Sequence, residues 1–215
     1  MNRNLVAIGL LILLGVSSSL LAMEPRQDPA NMLFKNAVIN AGKGYSDIPA
    51  EWITADRGDG FYLVHFGNLI TETDRARLSD RVEEIVQYIP NNAYLVRLSN
   101  DQRAEIETLS GIDFIGPYQP ILKVDFGLFL QKDPQFRKIR LTIHGTEPFE
   151  NAERIITGSG GQILSRDENP HYRRLTALIP VGSDYPTIRQ LAFLSEVHWI
   201  QDYPDYDLCN DATYW

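Results

Sequence analysis

An α+β fold of two tandem βαββαβ units, each a four-stranded antiparallel sheet with two helices on one face, is what this sequence predicts. Three observations point to it. Short apolar runs of strand type alternate with amphipathic stretches in the order strand, helix, strand, strand, helix, strand. The same order returns after residue 136. In the second occurrence Ile139, Leu141, Ile143, Leu175, Ala177 and Ile179 point one way, while Arg140, Thr142, His144, Arg174 and Thr176 point the other, the period of two that half-buried strands require.

The first unit spans residues 61–120. Phe61 to Phe66 reads as a strand, about Thr71 to Arg81 as a helix, and Glu84 to Ile89 as a second strand. Pro90, Asn91 and Asn92 make a tight turn into a third strand, Ala93 to Leu98. Ser99 with Gln102 three residues on is a capping box, opening a helix that runs to about Leu109 and stops at Gly111. The fourth strand, Ile112 to Tyr118, contains Pro117, which lacks an N–H for an inner ladder and places this strand at a sheet edge.

A linker, residues 121–136, leads to the second unit, 137–203. Its strand Lys138 to His144 precedes a helix from Glu147 to Thr157, with Pro148 near the first position and Gly158, Gly160 and Gly161 as the stop. Strands Gln162 to Arg166 and Tyr172 to Ile179 follow. Ser183 is placed to cap a helix carrying Ile188, Leu191, Ala192 and Leu194, and Val197 to Tyr203, with Val197 and Trp199 as core, closes the unit. This order defines the ferredoxin-like split β-α-β arrangement, and a repeat of about 75 residues is large enough for each copy to bury its own core.

The two units differ on the sheet face that carries no helix. In the second it is polar and is expected to be wet. In the first, Tyr94, Val96 and Leu98 are apolar on one side, and Leu63, Ala93 and Leu95 on the other. An uncovered apolar face marks a docking surface, so Leu63, Ala93 and Leu95 are predicted to contact a partner.

Composition narrows the partner. With 20 Lys and Arg against 28 Asp and Glu, a net charge of -8 and a pI near 5.0, the chain repels phosphate backbones and anionic lipids. Arg3 followed by the apolar run Leu5 to Val16, then Ser17 to Ala22, reads as a signal peptide, residues 1–22, cut after Ala22. The run is shorter than the roughly 20 residues that span a bilayer. A secreted or periplasmic product is therefore expected, with no membrane contact beyond the signal. Residues 23–60, with Pro25, Pro29 and Pro49, read as an extended leader. Arg57, Gly58 and Asp59 spell an adhesion tripeptide but are read as a turn.

A search for chemistry finds no convergent set. His144-Gly-Thr begins like the histidine motif of subtilisin-like proteases, but Glu147 stands where the motif needs His, and no aspartate or serine motif accompanies it. Gly158-Ser-Gly-Gly follows a helix and precedes a strand, the reverse of a phosphate loop. The pairs Glu83 with Glu84 and Asp202 with Asp205 are solvated charge. Cys209, the single cysteine, has neither a disulfide partner nor an assured base in His171 or His198. No cofactor, no metal site and no catalytic residue is predicted.

The runs Tyr62-Leu-Val-His-Phe, Ile85 through Pro90 to Leu98, and Gly111 through Gly116-Pro-Tyr-Gln-Pro120 to Lys123 resemble the segment ahead of the catalytic domain in secreted bacterial subtilisin-like serine proteases. The closing stretch from Val197 is similar to the junction that leads into that domain. The resemblance covers residues 60 to 215 and implies a propeptide: a non-catalytic module of a serine peptidase that inhibits it or assists its folding, in cis or in trans. It further implies that a free sheet face packs on the enzyme and that the tail, residues 204–215, enters the protease cleft through Tyr203, Pro204, Asp205, Tyr206, Asp207 and Leu208. The alternative is an extracytoplasmic interaction module of the same fold with an unrelated partner.

Overall fold

The computed structural model describes residues 28–130, 135–145, 147–169, 172–180 and 185–203. The fold is α+β, with two four-stranded antiparallel sheets and helices packed on one face of each. A hairpin comes first, β1 (Asn31–Leu33) and β2 (Val38–Asn40). Then come β3 (Gly60–Phe66), α1 (Glu72–Ser79), β4 (Glu84–Ile89), β5 (Ala93–Leu98), α2 (Asn100–Glu107) and β6 (Ile112–Pro117). A short helix α3 (Gly127–Leu130) precedes β7 (Phe136–Ile143), α4 (Glu150–Gly158), β8 (Gln162–Asn169), β9 (Tyr172–Pro180), α5 (Pro186–Ala192) and β10 (Val197–Asp202).

The first sheet runs β4-β5-β3-β6 and the second β10-β7-β9-β8. Numbered within its own half, each sheet has the order 4-1-3-2. Pro117 therefore lies in an edge strand, where its missing N–H costs no ladder bond. Irregularities recur at matching places. The register of β4 on β5 shifts between Ile85 and Gln87, and that of β8 on β9 between Ile163 and Ser165. Asp113 bulges from β6 and His198 from β10, each the second residue of its strand. A bulge inserts one residue and re-aims its neighbours. In β10 it leaves Val197 in the core and turns Trp199 to the opposite face, against the expectation that both are core.

Local chemistry explains most boundaries. The Thr71 and Ser99 side chains accept from the N–H of Asp74 and Gln102, whose side chains return the bond, so both capping boxes form. Asn91 and Asn92 both take left-handed φ, +66 and +59, a region that Asn tolerates better than other side chains. In the second half α4 starts later than Pro148 suggests, behind Phe149, and Gly161 N–H donates to the Ile156 carbonyl at its end. Helix α5 is preceded by Tyr185 in the left-handed region with Pro186 in its first turn. Ser183, the expected cap, lies outside the described residues.

Three apolar clusters form among the described residues. Leu78 of α1 and Ile106 of α2 pack on Tyr62, Val64, Phe66, Tyr94, Val96 and Leu98. Ala152, Ile156, Ile188 and Leu191 from α4 and α5 pack on Ile139, Leu141, Leu175 and Ala177. The third cluster corrects two expectations. The helix-free face of the first sheet is no docking surface: Leu63 and Ala93 are 0% exposed and Leu95 1%, because Met32 and Ile39 of the leader lie on them with Phe34, Tyr45 and Ile48. Apolar leader residues without periodicity removed more surface from water there than they could in solution. The linker is no spacer either. Leu122 seals the same cluster, while Val124 and Leu128 belong to the core of the second half.

Candidate functional site

The leader is tied to the first sheet by polar bonds at its rim. The Leu33 N–H donates to the Pro90 carbonyl (3.3 Å) and Asn91 Nδ2 to the Asn31 carbonyl (2.8 Å). His65, 1% exposed, is held on both sides, its Nδ1 against Asp113 Oδ1 and its Nε2 3.0 Å from the Pro29 carbonyl. The hairpin tip also reaches the second half. Asn36 Nδ2 donates to the carbonyls of Ile121 (2.7 Å) and Val124 (2.5 Å), and Lys35 pairs with Asp125 while lying 5.5 Å over the Trp199 ring. The leader therefore covers one sheet and clips the connection to the other.

Between the halves lies a buried polar cluster. Phe61 stacks on His144 at 3.6 Å, His144 meets His198 edge-on at 4.6 Å, and Tyr118 lies 6.4 Å from His198. His144, read as a strand-end histidine on the wet face, does follow β7 but is buried here, its N–H donating to the Glu196 carbonyl (2.8 Å). Lys123, 4% exposed, donates to the Leu194 carbonyl at 2.7 Å. Burial drives its amine down to about 7, with Glu196 opposing. Burial likewise lowers His198 to about 4, helped by Lys123, and His144 further still, helped by His198, Lys123 and Arg97. Both imidazoles are thus neutral near pH 7. His144 Nε2, His198 Nδ1 and Glu196 Oε1 have no hydrogen-bond partner.

Chemically this cluster is a packed joint. Ser195 Oγ contacts Glu196 (3.4 Å), and among the described residues no hydroxyl or thiol is hydrogen-bonded to an imidazole. A cleft of about 240 Å³ opens at its edge, lined by Arg57, Asp59, Phe61, Lys123, Phe193 and Ser195. Arg57 and Asp59 flank Gly58, which bends with φ +79, its N–H donating to Asp56 Oδ1 (3.0 Å) and the Tyr62 hydroxyl (2.7 Å). Arg97 spans the halves, bonding Glu83 (3.1 Å) and Glu147 (2.9 Å).

Residues 24–119 match the family model of a domain of unknown function, DUF8729. No curated protein and no solved structure gives a significant match. The matched stretch takes in the leader hairpin together with the first sheet and its helices, the set of elements that share two of the three apolar clusters. Among the described residues no group of His, Cys, Asp and Glu could hold a metal ion, and no helix is long and apolar enough to cross a membrane.

The helix-free face of the second sheet has a different surface. Arg140 lies with its guanidinium 3.6 Å from the centre of the Tyr203 ring, and Lys138 approaches the same ring at 5.2 Å. Tyr203 N–H donates to the Lys138 carbonyl at 3.0 Å, so the chain leaves β10 alongside this face. The face is not uniformly wet, since Thr176 at its centre is 2% exposed. Of the six residues predicted to enter a protease cleft, Tyr203 is half-buried here, while Pro204, Asp205, Tyr206, Asp207 and Leu208 lie outside the described residues, as do Cys209 and His171. The covering of Leu63, Ala93 and Leu95 by the leader had one legible signal, Met32, Leu33 and Phe34 close to Val38 and Ile39. The joint of Phe61, His144, His198 and Lys123 had none, because those residues lie far apart along the chain and only the docking of the halves unites them.

Proposed function

We propose that the two halves are duplicated ferredoxin-like units and that the chain is a non-catalytic, exported, propeptide-like module that binds a subtilisin-like serine protease as inhibitor or folding assistant. The observation that carries this reading is the route of the chain out of the second sheet. β10 sits at the sheet edge and Tyr203 lies along the helix-free face, a surface on which another protein can rest. An extended segment that fills a groove through main-chain bonds, next to a flat sheet face, is how such modules recognise a protease. With the first sheet covered by its own leader, the second unit is the docking unit. The matching 4-1-3-2 orders and paired bulges support the duplication.

The test is inhibition. The purified chain, titrated against secreted subtilisin-like proteases, slows peptide hydrolysis at micromolar concentration or below, and removal of residues 204–215 raises the inhibition constant by at least about tenfold, the effect of losing about 1.4 kcal/mol. Unaltered hydrolysis across the panel rejects the protease as partner, and equal potency of the shortened chain rejects the tail as the inhibitory element.

A further inference from the structure

Lys123 stands at the edge of the joint, at the end of the short 3-10 helix Pro120–Lys123, with its side chain 4% exposed. Its Nζ donates to the Leu194 carbonyl at 2.7 Å and lies 5.7 Å from the centre of the Tyr118 ring. Among the described residues no carboxylate forms an ion pair with it, and Glu196 acts on it only at longer range. The same residue lines the cleft of about 240 Å³, whose walls include Phe61, Pro117, Tyr118, Pro120 and Phe193. An apolar cavity of about 150 Å³ is enough for a benzene ring, so this cleft admits a ring with a short substituent. Arg57 and Asp59, both exposed, add one charge of each sign to its lining, so it selects for no net charge.

We propose that Lys123 is a reactive amine that forms an imine with a small aromatic aldehyde held in this cleft. Burial among apolar walls keeps a lysine unprotonated, and its compact amine on a flexible stem suits it to Schiff-base chemistry. With burial bringing the amine to about 7, about half of the Lys123 side chains carry a free lone pair at neutral pH, against roughly one in 2,500 for an amine at 10.4. The nitrogen lone pair attacks the carbonyl carbon while the C=O pair moves to oxygen, and one N–H proton passes to that oxygen to give a carbinolamine. The C–O bond then breaks, the hydroxyl leaves with the second N–H proton as water, and the nitrogen lone pair closes the C=N bond. No oxidant, reductant or further reactant is consumed. Phe61, Tyr118 and Phe193 offer rings against which the ring of the aldehyde packs. Imine formation gives up the bond to Leu194, and burial of the ring offsets that loss. The product is neutral, which suits a buried position better than an ammonium group. Nothing in this inference rests on the partner being a protease.

Reductive trapping tests it. The full chain is incubated near pH 7 with benzaldehyde and cyanoborohydride, which reduces an imine to a stable secondary amine, and peptide mass spectrometry reads each lysine. Benzylation of Lys123 is expected to be at least about tenfold faster than that of Lys35 or Lys43, with a rate that saturates as the aldehyde is raised. With propanal, which has no ring to seat, the ratio of Lys123 to Lys35 labelling falls at least about tenfold. The Lys123 rate rises between about pH 6 and 8 and then levels off. A Lys123 that reacts only after the chain is unfolded in urea overturns the proposal. So does a rate that stays proportional to benzaldehyde concentration, or a labelling ratio that is the same with both aldehydes. None of these outcomes depends on the folding of a variant.

Discussion

Leu95 separates a core position from a docking position. Its side chain is 1% exposed among Met32, Ile39, Leu63 and Leu122, so Leu95→Ala empties a site closed from above by the leader. Three carbons at about 0.8 kcal/mol each give close to 2.5 kcal/mol of lost transfer energy, and the residual cavity brings the cost into the range of about 2–5 kcal/mol. For a chain of this size that lowers the melting temperature by roughly 4 to 20 °C. Leu69→Ala is the control, because Leu69 is 82% exposed and its loss is worth within about 0.5 kcal/mol. Thermal denaturation followed by circular dichroism reads both. A Leu95→Ala protein that melts with the wild type would show that the leader does not sit on the first sheet, and the docking role of Leu63, Ala93 and Leu95 would return.

Two further outcomes follow from the joint and the turns. In the unfolded chain a histidine takes up a proton near pH 6.5, whereas buried His198 does so only near 4 and His144 lower. The contribution of these two histidines to stability is therefore complete above about pH 6.5 and falls as pH drops toward 4, and His198→Phe flattens the decline of melting temperature between pH 7 and 5; an identical slope would refute the joint. A Cβ on Gly161 would stand 2.7 Å from the Leu178 carbonyl and 2.9 Å from that of Ile156, while one on Gly158 meets nothing within 4 Å. Gly161→Ala should cost more than about 1 kcal/mol and Gly158→Ala, inside α4, should gain up to about 1 kcal/mol in chemical denaturation; equal effects would show that the stop after α4 is not closely packed.

The inner strands, the capping box at Ser99, the Asn91 and Asn92 turn and the edge position of Pro117 were all legible, because each depends on residues within a few positions of one another. Sites were less so. The covered face failed as a prediction because an apolar strand reads alike whether a partner or the chain's own leader lies on it. Trp199 failed because a one-residue bulge reverses every side chain before the next, and nothing in Val197-His-Trp announces it.

Alternation and local capping, properties of neighbouring residues, determined from sequence alone that this chain would form strands, helices and antiparallel sheets. Which face each sheet keeps, what covers it, and that Phe61, His144, His198 and Lys123 meet in one joint were decided only by tertiary structure. Those outcomes depend on segments distant in sequence competing to remove surface from water, a contest whose result is set by the whole assembled chain.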